Sequence, residues 1–130
     1  MYNKHLELDD RVMLLATTRW DTDDHNNPLG VVGTVTGVDS GWVSVSWDSK
    51  NNNSYRVRDD DLIKLAKNRS HERLHNGDRV MIVATPGSQR QLGVVGAVAN
   101  INKRSVAIRW DNYVDSYYVN YSKLVVVDDE

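Results

Sequence analysis

The chain has 130 residues, no cysteine, and 16 Lys+Arg against 18 Asp+Glu, for a formal net charge of −2. The missing cysteines exclude a disulfide framework and thiolate metal sites, and the near balance of charge argues against binding driven mainly by attraction to a polyanion. No apolar run nears the roughly 18 residues of a spanning helix, and Met1-Tyr2-Asn3-Lys4-His5-Leu6-Glu7 has no apolar signal core, so a cytoplasmic protein without a cofactor is expected.

In chain order, Asp10-Arg11-Val12-Met13-Leu14-Leu15-Ala16-Thr17 reads as a strand bounded upstream by acidic turn residues. A polar loop, Thr18 to Pro28, leads to a glycine-punctuated run from Gly30 to Gly41 that holds Val31, Val32, Val35 and Val38. Glycines such as Gly30 and Gly33 inside such a run mark a bulge or a sharp bend. Trp42 to Trp47 alternates strictly, with Val43, Val45 and Trp47 on one face and Trp42, Ser44 and Ser46 on the other, the period of a half-buried strand. Next, Tyr55 and Val57 share one face and Arg56 and Arg58 the opposite one. Asp59-Asp60-Asp61-Leu62 is a turn into a last short strand, Ile63-Lys64-Leu65. Ala66 to Asn76 lacks the glycine and serine density of a floppy tether and is compatible with a helical turn.

The same series then returns. Asp78-Arg79-Val80-Met81-Ile82-Val83-Ala84-Thr85 repeats the first strand, and Leu92-Gly93-Val94-Val95-Gly96-Ala97-Val98 repeats Leu29-Gly30-Val31-Val32-Gly33-Thr34-Val35. Val106-Ala107-Ile108-Arg109-Trp110-Asp111 repeats Val43 to Asp48. Ser116-Tyr117-Tyr118-Val119 repeats Ser54-Tyr55-Arg56-Val57, and Leu124 repeats Leu62. Order and spacing both hold, so the chain is a tandem duplication. Unit one is 6–65, a linker is 66–75, and unit two is 76–130. The offset changes from 68 to 63 across the first loop, so unit one carries extra residues there, and such loops are where binding specificity concentrates. Formal charge is −5 in unit one, +2 in the linker and 0 in unit two. Five short strands per unit predict an all-β protein of two tandem five-stranded closed barrels. A unit of about 60 residues is marginal alone, so the two are expected to pack together.

Gly33-Thr34-Val35-Thr36, Gly41-Trp42-Val43, Val45, Trp47-Asp48, Tyr55-Arg56-Val57 and Asp61-Leu62 resemble the Mind-bomb/HERC domain pattern, and Trp20 falls where that family often carries tryptophan. The resemblance covers about 55 residues of unit one. It implies a small SH3-like barrel, in a wider class with Tudor and KOW barrels, and a non-catalytic module that binds peptide segments of a partner. It implies no ligase activity, because no RING or HECT region is present. Unit two has Ser105 where unit one has Trp42, and Tyr118 where unit one has Arg56. A pair of such barrels is also similar in size and style to small accessory proteins of bacteria and their phages.

Trp47 and Trp110 share a face with valine and isoleucine and are read as core anchors. Asp48 and Asp111 are read as turn residues that cap backbone amides. Trp42 faces away from the core set and is either a contact surface or packed against unit two or the linker. Trp20 lies among Asp21, Asp23 and Asp24 and either closes over the barrel end or belongs to a ligand groove, which would suit a basic side chain through cation–π attraction. Trp20, Asp21, Asp23, Asp24 and Trp42, flanked by Arg56 and Arg58, are therefore the candidate peptide-binding residues. The alternative is nucleic-acid binding through the linker and unit two, with Arg90, Lys103, Arg104 and Arg109 for phosphates and Tyr113 and Tyr118 for base stacking. His71 and His75 are spaced i,i+4 but no third ligand is evident. Asp21, Asp23 and Asp24 lack the pattern of a calcium loop, so no metal site is predicted. No nucleophile–base set is present. The small-barrel dihydrofolate reductase analogy fails at Tyr117-Tyr118-Val119-Asn120, where its glutamine-containing motif is missing.

Overall fold

The strict alternation of Trp42–Trp47 becomes strand β3 in the computed structural model, which describes residues 5–67, 74–84, 91–103, 105–112, 116–120 and 123–128, with Ser116 and Tyr117 described by backbone alone. Unit one holds β1 (Arg11–Leu14), β2 (Gly33–Asp39), β3 (Trp42–Trp47), β4 (Asn52–Arg56), a 3-10 turn (Val57–Asp59) and β5 (Leu62–Lys64). Unit two holds β6 (Arg79–Ile82), β7 (Gly96–Ile101), β8 (Ser105–Trp110), β9 (Ser116–Asn120) and β10 (Leu124–Val126). The protein is all-β, with two five-stranded antiparallel sheets ordered β4-β3-β2-β1-β5 and β10-β6-β7-β8-β9.

The expected closure into barrels is not found: among the described residues no ladder joins β4 to β5 or β9 to β10. In unit one β4 runs into the 3-10 turn, and Asp60 takes a left-handed φ of 53° before β5 starts. β5 itself is three residues long and its continuation pairs with the other unit. Each sheet nevertheless curls around its own core. Tyr55 from one edge strand and Leu62 from the other pack with Val12, Leu14, Val35, Val43, Val45 and Trp47. Val80, Ile82, Val98, Val106, Ile108, Trp110, Leu124 and Val126 form the matching core of unit two. Trp47 and Trp110 are buried anchors, as the alternation predicts.

A third core lies between the units. Met13, Ile63 and Leu65 of unit one pack with Met81, Val95 and Val127 of unit two. This explains why β1 and β6 are apolar on both parities: Val12 and Leu14 face their own core while Met13 faces the seam, and Val80, Ile82 and Met81 repeat that division. The backbone bonds of the seam are reciprocal. The Ala16 amide donates to the Gly93 carbonyl at 2.9 Å, and the equivalent Ala84 amide to the Gly30 carbonyl at 2.7 Å. At the far end Leu65 sits opposite its own repeat-equivalent, Val127, in an antiparallel bridge. It is flanked by Ala66 N–H to Val126 O at 2.9 Å and Asp128 N–H to Lys64 O at 3.0 Å. Such reciprocity defines an isologous, two-fold interface, here within one chain.

One local reading is resolved and two change. Of the two readings for the glycines, Gly30 is a bend, in a turn with φ of 77°, while the bulges fall between Val35 and Gly37 and at the equivalent step between Val98 and Asn100. Val57 does not continue inward from Tyr55: the strand ends at Arg56, and Val57 opens the 3-10 turn and is exposed. In unit two the sequence match of Tyr117 to Tyr55 is displaced by the ladder. Val43 faces Tyr55, but the equivalent Val106 faces Val119. A slip of two residues keeps every side chain on its face. The hydroxyl of Tyr55 is received by Asn26 and Asn27 of the long loop, and unit two, shorter there, gives a tyrosine no such reason to occupy this place.

The seam generates a stability prediction. Gly30 and Gly93 both have φ of +77°, and a Cβ on Gly93 would lie 2.7 Å from the Ala16 nitrogen, on Gly30 2.9 Å from the Ala84 nitrogen. Gly30→Ala and Gly93→Ala should each lower stability by about 3 kcal/mol, from left-handed strain plus overlap with backbone. Gly37→Ala, whose Cβ would meet only Ser44 atoms at 3.6 Å, should change it by less than about 1 kcal/mol. Urea-denaturation midpoints of the three variants check this.

Candidate functional site

The β2–β3 hairpin is tight because Ser40 and Gly41 take positive φ of 24° and 88°. Trp42 follows as the first residue of β3 and lies opposite Arg56, the last residue of β4. The pair points to the outer face, in line with Ser44 and Ser54, whose hydroxyls are 2.9 Å apart. The Arg56 guanidinium stacks over the Trp42 ring at 4.8 Å from its centroid. The 3-10 turn is then pulled against the hairpin, because the Val57 amide donates to the Gly41 carbonyl at 2.9 Å. The result is an open groove of about 350 Å³ lined by Ser40, Gly41, Trp42, Arg56, Val57 and Arg58. Trp42 is 41% exposed and Val57 46% exposed, so Trp42 is a surface residue rather than part of the seam.

The long loop is placed differently from the sequence expectation. Asp21 and Asp24 accept from the amides of Asp23 and Asn26 at 3.0 and 2.9 Å, so these carboxylates shape their own turn. Asn26 and Asn27 are fastened to the core. The Trp47 indole N–H donates to the Asn26 carbonyl at 3.2 Å, the Tyr55 hydroxyl to the same oxygen at 2.9 Å, and the Asn53 side-chain amide to Asn27 Oδ1 at 2.7 Å. Asp23, Asp24 and His25 line a second cavity, of about 590 Å³, at the seam beside Ala16, Leu29, Ala84 and Leu92. Trp20 is not among the residues that line this cavity. Instead Arg19 stacks at 6.0 Å from the Trp20 ring and reaches Asp59 at 3.3 Å. Trp20 borders Asp61 on one side of the 3-10 turn, and Trp42 stands at the other end of that turn; the groove at Trp42 is not lined by Trp20.

Asp61 is buried, and its Oδ2 has no hydrogen-bond partner. Desolvation pushes its carboxyl above the ordinary value, with Asp59 adding to the rise and the Thr18 and Trp20 side chains and Arg19 opposing it. Burial likewise pushes the Tyr55 hydroxyl up to about 12. Asp48 is not the amide-capping turn residue of the sequence reading: its carboxylate takes a two-pronged pair from Arg11, at 3.0 and 2.6 Å. Arg79 and Asp111 repeat this pair in unit two.

In unit two Ser105 faces Asn120 where unit one has Trp42 facing Arg56, so the aromatic–cation groove occurs in unit one. Tyr118, 52% exposed, stands opposite Ala107, and Arg109 opposite Ser116, one cross-strand step away on the same outer face. Lys103 is exposed near the β7–β8 turn. Arg90, Arg104, Tyr113 and His71 lie outside the described residues. Sequence reasoning missed Ser40, Gly41 and Val57 as groove-lining residues; the Asp59-Asp60-Asp61 turn just after Val57 was the available sign that the strand ends early. No known protein-family pattern matches the chain, and no curated protein matches it.

The buried groups set a pH dependence. Tyr55 has a folded-state value above its unfolded one, so the folded state holds its proton longer. Stability should fall as pH rises from about 10 toward 12, and Tyr55→Phe should flatten that fall while costing about 1 kcal/mol at neutral pH through the lost hydroxyl bonds. Asp61, raised by burial, should make the fold relatively more stable in acid. Asp61→Asn should therefore gain on the parent protein as pH rises above about 4. Chemical denaturation across pH tests both.

Proposed function

We propose that the chain is a non-catalytic binding module that recognises a protein or peptide partner through unit one, and that each sheet is a partly open SH3-like barrel in the manner of the Mind-bomb/HERC pattern. The barrel reading is supported by the way the two edge strands share one core through Tyr55 and Leu62. The cysteine-free composition fits the same module working in the reducing cytoplasm. The observation that carries the functional reading is the Trp42 groove: a half-exposed indole, an exposed valine and two arginines around a concave space long enough for a few residues of an extended peptide. Tryptophan and arginine are the side chains that most often anchor such contacts. Trp20 and the loop acids Asp21, Asp23 and Asp24 would flank the site rather than form its floor.

A second reading, nucleic-acid binding through unit two, is favoured by one observation, the shared outer face of Arg109 and Tyr118. The two readings separate by salt and by substitution. Under the leading reading, Trp42→Ala loses at least about tenfold in affinity for a captured peptide, while Arg109→Ala and Tyr118→Ala leave it unchanged. Peptide-display selection on the whole chain, followed by titration of the three variants, measures this. Micromolar, steeply salt-dependent binding of a labelled single-stranded oligonucleotide that is lost in Arg109→Ala would favour the second reading instead.

A further inference from the structure

We infer that the groove at Trp42 selects an acidic segment, an extended peptide with glutamate or aspartate beside an apolar residue, rather than a basic one. This rests on the reading of unit one as a peptide-binding module. The Trp42 ring, which alone would suit a cation, already carries the Arg56 guanidinium at 4.8 Å. A lysine or arginine from a partner would have to displace Arg56 and would meet Arg58 as well. Both arginines line the groove and no carboxylate does. Neither forms an ion pair with a described residue: Asp59 is engaged by Arg19, and Asp39, opposite Trp42 on β2, is not among the residues that line the groove. Arginine beside an indole is weakly hydrated and keeps a rigid set of donors that fits a carboxylate by two parallel bonds. Trp42 and Val57 supply the apolar surface that partly shields such a pair from water, which strengthens it over a fully exposed one.

The occupant is a peptide and not a nucleic acid for a reason of scale. Two arginines in a space of about 350 Å³ meet one or two anionic groups, whereas unit one as a whole carries −5 and repels a long polyanion. Unit two has Ser105 and Asn120 in the corresponding places, so it does not repeat this site there.

The test uses the whole chain and three pools of fluorescein-labelled nine-residue peptides. Each pool has a randomised apolar residue at its centre, one glutamate, glutamine or lysine on either side of it, and glycine and serine elsewhere. Binding is read by anisotropy, and by quenching of tryptophan fluorescence. The glutamate pool should bind at one peptide per chain, at least about tenfold tighter than the glutamine pool, and the lysine pool should not bind. Arg56→Gln with Arg58→Gln should bring the glutamate and glutamine pools within about twofold of each other, while Trp42→Ala should weaken both. If the glutamine or lysine pool binds as well as the glutamate pool and depends on Trp42, the acidic preference is wrong and the peptide reading stands. If none of the pools binds, both fall. If a twenty-nucleotide oligothymidylate displaces the glutamate pool from the parent chain, the groove is an anion site for nucleic acid and the inference is overturned.

Discussion

The seam between the repeats is the constraint from which the rest of the molecule follows. Each unit leaves one face of its first strand apolar, at Met13 and at Met81, and among the described residues that face is buried against the other unit. Bringing the two faces together around a local two-fold axis solves the same problem twice. The contacts show the symmetry at both ends, with Ala16 and Ala84 exchanging bonds with Gly93 and Gly30, and Leu65 meeting Val127. Glycine at 30 and 93 is required because the other unit's backbone passes within 3 Å of where a side chain would start. A small sheet that would be marginal alone thereby gains a second apolar contact.

The same seam determines what is left for function. It occupies the outer surface of β1, β5, β6 and β10, so binding surface is left to the far strands β3–β4 and β8–β9 and to the loops. Duplication supplied two copies of that surface, and they have diverged. Unit one keeps the indole and arginine at Trp42 and Arg56, whereas unit two has Ser105 and Asn120 there and an exposed Tyr118 two residues back. The long loop diverged with them. Its asparagines are tied to Trp47 and Tyr55, so the extra residues of unit one are anchored to the core rather than loosely appended.

Much of this was legible in the sequence, and the failures have physical causes. The period of two along Val43, Val45 and Trp47 located the core face because one side of β3 is buried and the other is not. The unbroken apolar stretch at Val12-Met13-Leu14 was read only as a strand; that a strand buried on both faces shows no alternation explains it once the seam is seen. Closure was overestimated because strand count does not reveal whether the end strands meet, and here the 3-10 turn and the β5–β10 bridge use the length that closure needs. The match of Tyr117 to Tyr55 misled because a two-residue slip leaves the inward–outward pattern intact, so only the ladder distinguishes the alternatives. Around the proposed groove, parity placed Trp42 and Arg56 on the outer face, whereas Arg58 borders the groove from the 3-10 turn, where strand parity no longer applies. The loop acids were assigned to Trp20 on proximity in sequence, which does not reveal that the Asp21 and Asp24 carboxylates accept from backbone amides two residues on.

Native-state hydrogen exchange on the whole chain carrying Met81→Ala tests the central claim most directly. Met81 belongs to unit two, and the substitution leaves a cavity in the seam at a cost of about 2–5 kcal/mol. If the seam makes the two sheets one cooperative body, amides of β1 to β3 in unit one should lose protection by the same free energy as those of β6 to β8. Loss of protection confined to unit two, with unit one unchanged, would contradict the account and make the repeats independent.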